Sequence, residues 1–174
     1  MAERDEALER FCAQAYPQLV AALTHHCGDV HLAEEFAQEA LVVACRRWST
    51  VQAYDAPVGW CYRVGVNLAN SWYRRRRVER RVRERADREA PASYRDPDSA
   101  DAVAVRQALR SLTDAQREAI ILRYFLDLSV EQTAAVLGAS PGAVRGLTHR
   151  AVKALRDVLD VDADNDAREA TDVS

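Results

Sequence analysis

Lysine is almost absent from this sequence. Of the 24 basic residues only Lys153 is a lysine, and the other 23 are arginine. Arginine pairs with phosphate through a bidentate fork that lysine lacks, but GC-rich codon usage is the better explanation of such a skew, and arginine abundance alone proves nothing. Long apolar runs are also missing: no stretch approaches the roughly 18 apolar residues of a membrane-spanning helix. The start MAERDEALERF has neither a basic n-region nor an apolar h-region, so neither a secretory leader nor membrane insertion is expected. The four cysteines, Cys12, Cys27, Cys45 and Cys61, form no C-x-x-C pair. His25, His26, Cys27 and His31 lie close together, but Gly28-Asp29 interrupts them. They read as solvated or helix-end groups rather than as a metal site. P-loop, Rossmann and H-E-x-x-H patterns are missing. Gly138-Ala139-Ser140-Pro141-Gly142 literally satisfies G-x-S-x-G, yet a nucleophile elbow needs a strand before it and the pattern there is helical. No catalytic residue, metal or cofactor is therefore expected.

What is present is a core-forming, helical chain. With 174 residues, 48% hydrophobic and 29% charged, it can bury one ordinary core or two small ones. Nothing alternates with period two over strand length. Leu8, Phe11, Cys12, Ala15, Leu19, Ala22 and Leu23 form one helical face, ending at Gly28. Leu32, Phe36, Ala40, Leu41, Ala44 and Trp48 form a second. Ser49–Pro57 reads as a loop, with Pro57 placed to open the next helix. Trp60, Cys61, Val64, Leu68 and Trp72 mark that helix, which runs on into Arg74-Arg75-Arg76-Arg77.

APASYRDPDS, with two prolines and two serines, reads as a linker. Four helices are expected beyond it. The first, Asp101–Ser111, packs through Val105, Ala108, Leu109 and Leu112. Thr113-x-x-Gln116 and Ser129-x-x-Gln132 are capping boxes that open the second, to about Phe125, and the third, to Leu137-Gly138. Ser140 caps the fourth, which has Pro141 in its first turn and runs to about Leu159. The predicted architecture is all-α, with two small helical domains on a flexible linker. The boundaries are 1–89, 90–100 for the linker, 101–160, and an acidic, unordered tail at 161–174. That tail can fold back onto basic helices, in which case deleting it raises DNA affinity at low salt.

Charge comes in blocks. Residues 1–60 carry four arginines against nine acids, whereas 61–90 carry ten arginines against four acids. A second basic segment, with Arg145, Arg150, Lys153 and Arg156, lies within 141–156, where there is no acid. A net charge of −3 excludes a uniformly basic coat, but a polyanion can touch both basic segments.

SVEQTAAVLG, the turn AS, and PGAVRGLTHRAVKALRDVL make a helix-turn-helix. The second helix can enter a major groove and present Arg145, Thr148, His149 and Arg150 to base edges. Val144, Leu147, Ala151, Leu155 and Val158 make its packing side. Free N–H groups at the capped helix starts, Ser140 among them, suit phosphate.

Together these segments resemble a bacterial sigma factor of the extracytoplasmic-function (group 4) type, over roughly residues 8–160. Region 2 is matched by GDVHLAEEFAQEALVVACRRW and PVGWCYRVGVNLANSWYRRRR, and region 4 by ALRSLTDAQREAIILRYFLDLSVEQTAAVLGASPGAVRGLTHRAVKALRDVL. The resemblance implies binding to core RNA polymerase through Glu35, Gln38, Glu39 and Leu41. It implies capture and melting of the −10 promoter element by Tyr54, Arg63, Asn67, Asn70, Arg74 and Arg75, single-strand capture needing pocket walls and a cationic track. It implies duplex −35 readout by Ser140, Arg145, Thr148, His149 and Arg150, with Arg117, Arg123 and Lys153 on phosphates. Trp60 and Trp72 read as core. The partners implied are core polymerase, promoter DNA and an anti-sigma factor, in the cytoplasm. Val66 and Ser71 stand where the family usually has Arg and Asp, Gln132 where it often has Glu, and Leu147 and Val152 where basic residues are common. These departures bear on the promoter sequence. The competing reading is a self-standing regulator with a helix-turn-helix of the LuxR type. The RRRR helix and AEEFAQEAL favour the sigma reading.

Overall fold

The computed structural model describes residues 2–83, 105 and 107–172, and all regular structure among them is helical. The chain divides into two units, Met1–Pro97 and Asp98–Ser174. The linker expected at 90–100 and most of 101–106 lie outside the described residues.

The first unit is built from α1 (Ala2–Cys27), α2 (Val30–Arg46), a single turn α3 (Trp48–Val51) and α4 (Pro57–Arg83). Gly28 ends α1 with φ +75°, a left-handed conformation that glycine adopts without a Cβ penalty. Asp29 then caps α2, its carboxylate accepting from Leu32 N at 3.1 Å. Leu19, Ala22 and Leu23 of α1 and Ala33, Phe36, Ala37, Ala40 and Ala44 of α2 are buried between the helices. Burying each leucine is worth about 1.5–3 kcal/mol. The run of alanines lets the backbones approach closely.

Two details depart from the sequence reading. Ser49–Pro57 is not all loop, because Trp48–Val51 forms a helical turn that buries Trp48 and Val51. The seam of α4 is rotated from the expected face: Cys61, Tyr62, Gly65, Val66 and Ala69 are buried, while Trp60, Val64, Leu68 and Trp72 are half-buried. Gly65 explains the rotation. A Cβ there would lie 2.8 Å from Leu23 Cδ1, so α4 meets α1 along its smallest residue.

The second unit has helical residues 107–110, then α5 (Asp114–Ile120), a π-helical turn (Ile121–Phe125), α6 (Val130–Leu137) and α7 (Pro141–Asp172). Both capping boxes form. Gln116 N donates to Thr113 Oγ1 at 3.3 Å and Thr113 N to Gln116 Oε1 at 3.0 Å. The same exchange joins Ser129 and Gln132 at 3.0 and 2.8 Å. Gln132 thus uses the acceptor oxygen a glutamate would supply. Leu109, Leu112, Ile120 and Ala151 form the core, with Val152, Ala154 and Leu155 against it. Val105, expected in that core, is exposed.

The C-terminal expectation needs correction. The helix does not stop near Leu159: backbone 161–172, expected unordered, continues α7. No glycine or proline interrupts the sequence after Gly146, and alanine at 163, 167 and 170 favours the helix.

Candidate nucleic-acid interface

On α4, Arg63, Asn67, Asn70 and Arg74 follow at intervals of four, three and four, which aligns them along one helix face. Asn67, Asn70 and Arg74 are exposed and Arg63 is half-buried. This stripe lies opposite the buried Cys61 and Gly65, about a quarter turn from Tyr62, Val66 and Ala69. Arg75 is exposed but sits to one side of it. Tyr54, 44% exposed, closes the start of the helix, its ring 6.2 Å from that of Trp60. Trp60 therefore belongs partly to this surface, which the apolar period alone did not reveal. Trp72 instead packs inward, edge-on to Phe36 at 6.4 Å, with the Arg76 guanidinium 4.8 Å from its ring centroid. That cation–π contact occupies one arginine of the basic run.

On α2, Glu35, Gln38 and Glu39 are exposed, and Gln38 Nε2 donates to Tyr16 Oη at 3.4 Å. Leu41, expected on a partner surface, is instead buried at 9% exposure, because it falls in the seam with Ala37 and Ala44. The exposed apolar residue of this face is Val42, at 48%. Its signal was one residue away from the leucine that matched the motif.

In the second unit Gly138 ends α6 with φ +63°. After Ala139, Ser140 Oγ accepts from Ala143 N at 3.1 Å and starts α7. A short helix and a long one are thereby joined by a three-residue turn. The outer face of α7 carries Gly142, Arg145, His149, Arg150 and Lys153, all exposed. Arg145 reaches back to Glu131 Oε1 at 3.3 Å. Arg150 folds along its own helix, its guanidinium 3.2 Å from where a Cβ on Gly146 would lie.

Three residues expected on DNA have other surroundings. Arg117 is a structural clamp: its guanidinium donates to Leu109 O (2.9 Å), Arg110 O (3.5 Å) and Leu112 O (3.1 Å) and pairs with Asp114 (3.2 Å). It adds donors to carbonyls at the end of the preceding helical segment, where the backbone supplies few; Leu109 O also accepts from Leu112 N at 3.3 Å. Arg123 donates to Leu128 O and braces the turn before α6, where Asp127 takes φ +51°. Thr148 turns inward, since Val144 before it and Ala151 and Leu155 after it lie at packing intervals. Its Oγ1 is buried and makes no hydrogen bond within the described residues.

A family model described as Sigma-70 region 2 matches residues 12–79, and one described as Sigma-70, region 4 matches residues 102–155. The RNA polymerase sigma-E factor of Streptomyces coelicolor is 34% identical over 136 residues, covering 78% of this chain and 76% of that protein. The chain belongs to the sigma-70 family of RNA polymerase sigma factors. It is a factor of the extracytoplasmic-function type, and it directs promoter recognition in transcription initiation. The RNA polymerase sigma factor YlaC of Bacillus subtilis is 27% identical over 158 residues, covering 87% of this sigma factor and 90% of that one. Among solved structures, the sigma factor RpoE in complex with the anti-sigma factor NepR, from Bartonella quintana, aligns with TM-score 0.73 and 25% identity. That alignment covers 90% of this chain and 99% of the other. CnrH in complex with the cytosolic domain of CnrY aligns with TM-score 0.67 and 25% identity over 91% and 90% of the two chains. Proteins of this family are promoter-specificity subunits. No helix among the described residues is long and apolar enough to cross a membrane.

Proposed function

We propose that the two units divide the promoter between them. The first unit, 1–89, binds core RNA polymerase through the α2 face of Glu35, Gln38 and Glu39, with Val42 as its apolar contact. It opens and reads the −10 element through Tyr54, Arg63, Asn67, Asn70, Arg74 and Arg75. The observation that carries this reading is the α4 stripe. Two amides, each both donor and acceptor, lie between two guanidiniums on one line. Amides can read base edges while guanidiniums hold the backbone beside them.

The second unit, 101–160, reads the −35 duplex through α7. Arg145, His149 and Arg150 face the bases, and Lys153 and the capped start at Ser140 hold phosphate. Gly142 gives that face no side-chain bulk. The protein carries no catalytic residue, since nucleotide addition belongs to the polymerase. It works in the cytoplasm beside its template. An anti-sigma factor is its third partner, a reading supported by the complex of the sigma factor RpoE with the anti-sigma factor NepR.

Run-off transcription with purified core polymerase and a pool of upstream fragments tests this. Discrete starts that require the protein are expected, lost on Asn67→Ala/Arg74→Ala and weakened on His149→Ala. DNA binding by the protein alone, with no transcripts, would overturn the reading in favour of a self-standing regulator.

A further inference from the structure

We propose that Cys12 and Cys45 form an oxidant-responsive thiol pair that closes to an intramolecular disulfide between α1 and α2. The two side chains come from helices that cross where α2 ends, and their sulfurs are 3.9 Å apart. Both are free thiols, Cys45 exposed and Cys12 half-buried. A disulfide needs about 2.05 Å between sulfurs, so the thiols are already in contact and have only the last step to travel. Cys27 lies at the other end of α1. Cys61 is fully buried on α4. The exposed and half-buried members are therefore the ones in contact, and a buried thiol stands behind them.

The asymmetry of the pair gives the order of events. Burial and the neighbouring Cys45 push the Cys12 thiol up to about 11, so it stays protonated at neutral pH. The exposed Cys45 is the sulfur that an oxidant in solution reaches first. With a hydroperoxide as oxidant, the Cys45 sulfur attacks the O–O bond and takes one oxygen, giving a sulfenic acid, and the other oxygen leaves as water or alcohol. The Cys12 sulfur then attacks the Cys45 sulfur. The S–S bond forms, the S–OH bond breaks, and the hydroxyl departs as water with the proton released by Cys12. Two thiols lose two electrons in all, and one peroxide bond is reduced. The product ties α1 to the last turn of α2, across 33 residues of chain. The tie lies one helical turn from Val42 and along the same α1–α2 groove as the Tyr16–Gln38 hydrogen bond. The inference does not depend on what α2 binds.

The full chain, reduced and freed of reductant, is treated with stoichiometric hydrogen peroxide and quenched with an alkylating agent. Titratable thiols should fall from four to two, without dimerisation, and dithiothreitol should restore them. Non-reducing peptide mapping should recover Cys12 joined to Cys45, and the thermal midpoint should rise by several degrees. Cys61→Ser should leave the bond intact. Cys12→Ser should leave a Cys45 sulfenic acid that dimedone traps. A wild-type Cys45 that stops at sulfenic or sulfinic acid with Cys12 still alkylated would overturn the proposal. So would a bond through Cys27 or Cys61, or a dimer linked through Cys45.

Discussion

At the scale of single residues, glycine and arginine separate structure from recognition. Gly65 sits where α4 presses on Leu23, and a Cβ there would already be at 2.8 Å. Gly65→Val should therefore destabilise the first unit by about 2–3 kcal/mol, the usual cost of overpacking; denaturant unfolding measures it. Arg117 and Arg145 make a contrasting pair. Arg117 serves three backbone carbonyls from a largely buried position, so Arg117→Ala should cost about 2–3 kcal/mol of stability, as for charged hydrogen bonds left unmade. The Arg145–Glu131 pair is more than 60% exposed on both sides. Arg145→Ala should change stability by no more than about 0.5–1 kcal/mol, the worth of an exposed pair. It should nevertheless weaken binding of −35 duplex by the holoenzyme by about 1–3 kcal/mol, the range for a base contact. Thermal melts and filter binding on the two variants check both halves. The cysteines add a pH dependence. Burial raises Cys12 from 9.0 to about 11 and Cys61 to about 12. A thiol whose folded pKa is raised contributes stability that is complete below the unfolded value. Unfolding free energy should then fall between about pH 9 and 11–12, and less so in Cys61→Ser; chemical denaturation across that range measures it.

At the scale of elements, each helix serves two surfaces, and its period decides which residue joins which. On α4 the buried seam of Cys61, Tyr62, Gly65, Val66 and Ala69 leaves Arg63, Asn67, Asn70 and Arg74 on the side facing away from it. If that line captures an opened strand, Asn67→Ala/Arg74→Ala should lose most activity on duplex promoters. On a template already opened across −10, the loss should be several-fold smaller. Equal losses on both templates would show that the stripe holds the polymerase or the duplex instead. On α7 the same geometry removes Thr148 from the recognition face. Thr148→Val should leave −35 affinity within about twofold, since it deletes a buried hydroxyl that reaches no solvent.

For the molecule as a whole, charge distribution matters more than net charge. The acidic segment 157–172 follows the basic face of α7 on one continuous helix. At 1.5 Å per residue it leads away from His149, reaching Asp162 after about 20 Å, beyond the roughly 8 Å screening length of physiological salt. A continuous helix cannot double back on its own recognition face. Deleting 161–174 should therefore leave DNA affinity of the holoenzyme at physiological salt within about twofold. A large gain on deletion would restore the fold-back expected from composition alone.

The sequence by itself determined what depends on near neighbours along the chain. Capping boxes at Thr113 and Ser129, the stop at Gly138 and the start at Ser140 were legible because each is closed by atoms within a few residues. Helical class was legible for the same reason, as was the lengthwise order of the two basic segments. Tertiary structure decided which of two adjacent residues turned inward. Leu41 or Val42, Leu68 or Ala69, and Thr148 or His149 differ by one position, a rotation of about 100° on a helix. Only the neighbouring helix fixes that angle, as Gly65 does by admitting Leu23. It also decided that Arg117 holds carbonyls and that Cys12 meets Cys45, because those partners are brought together by packing rather than by sequence spacing.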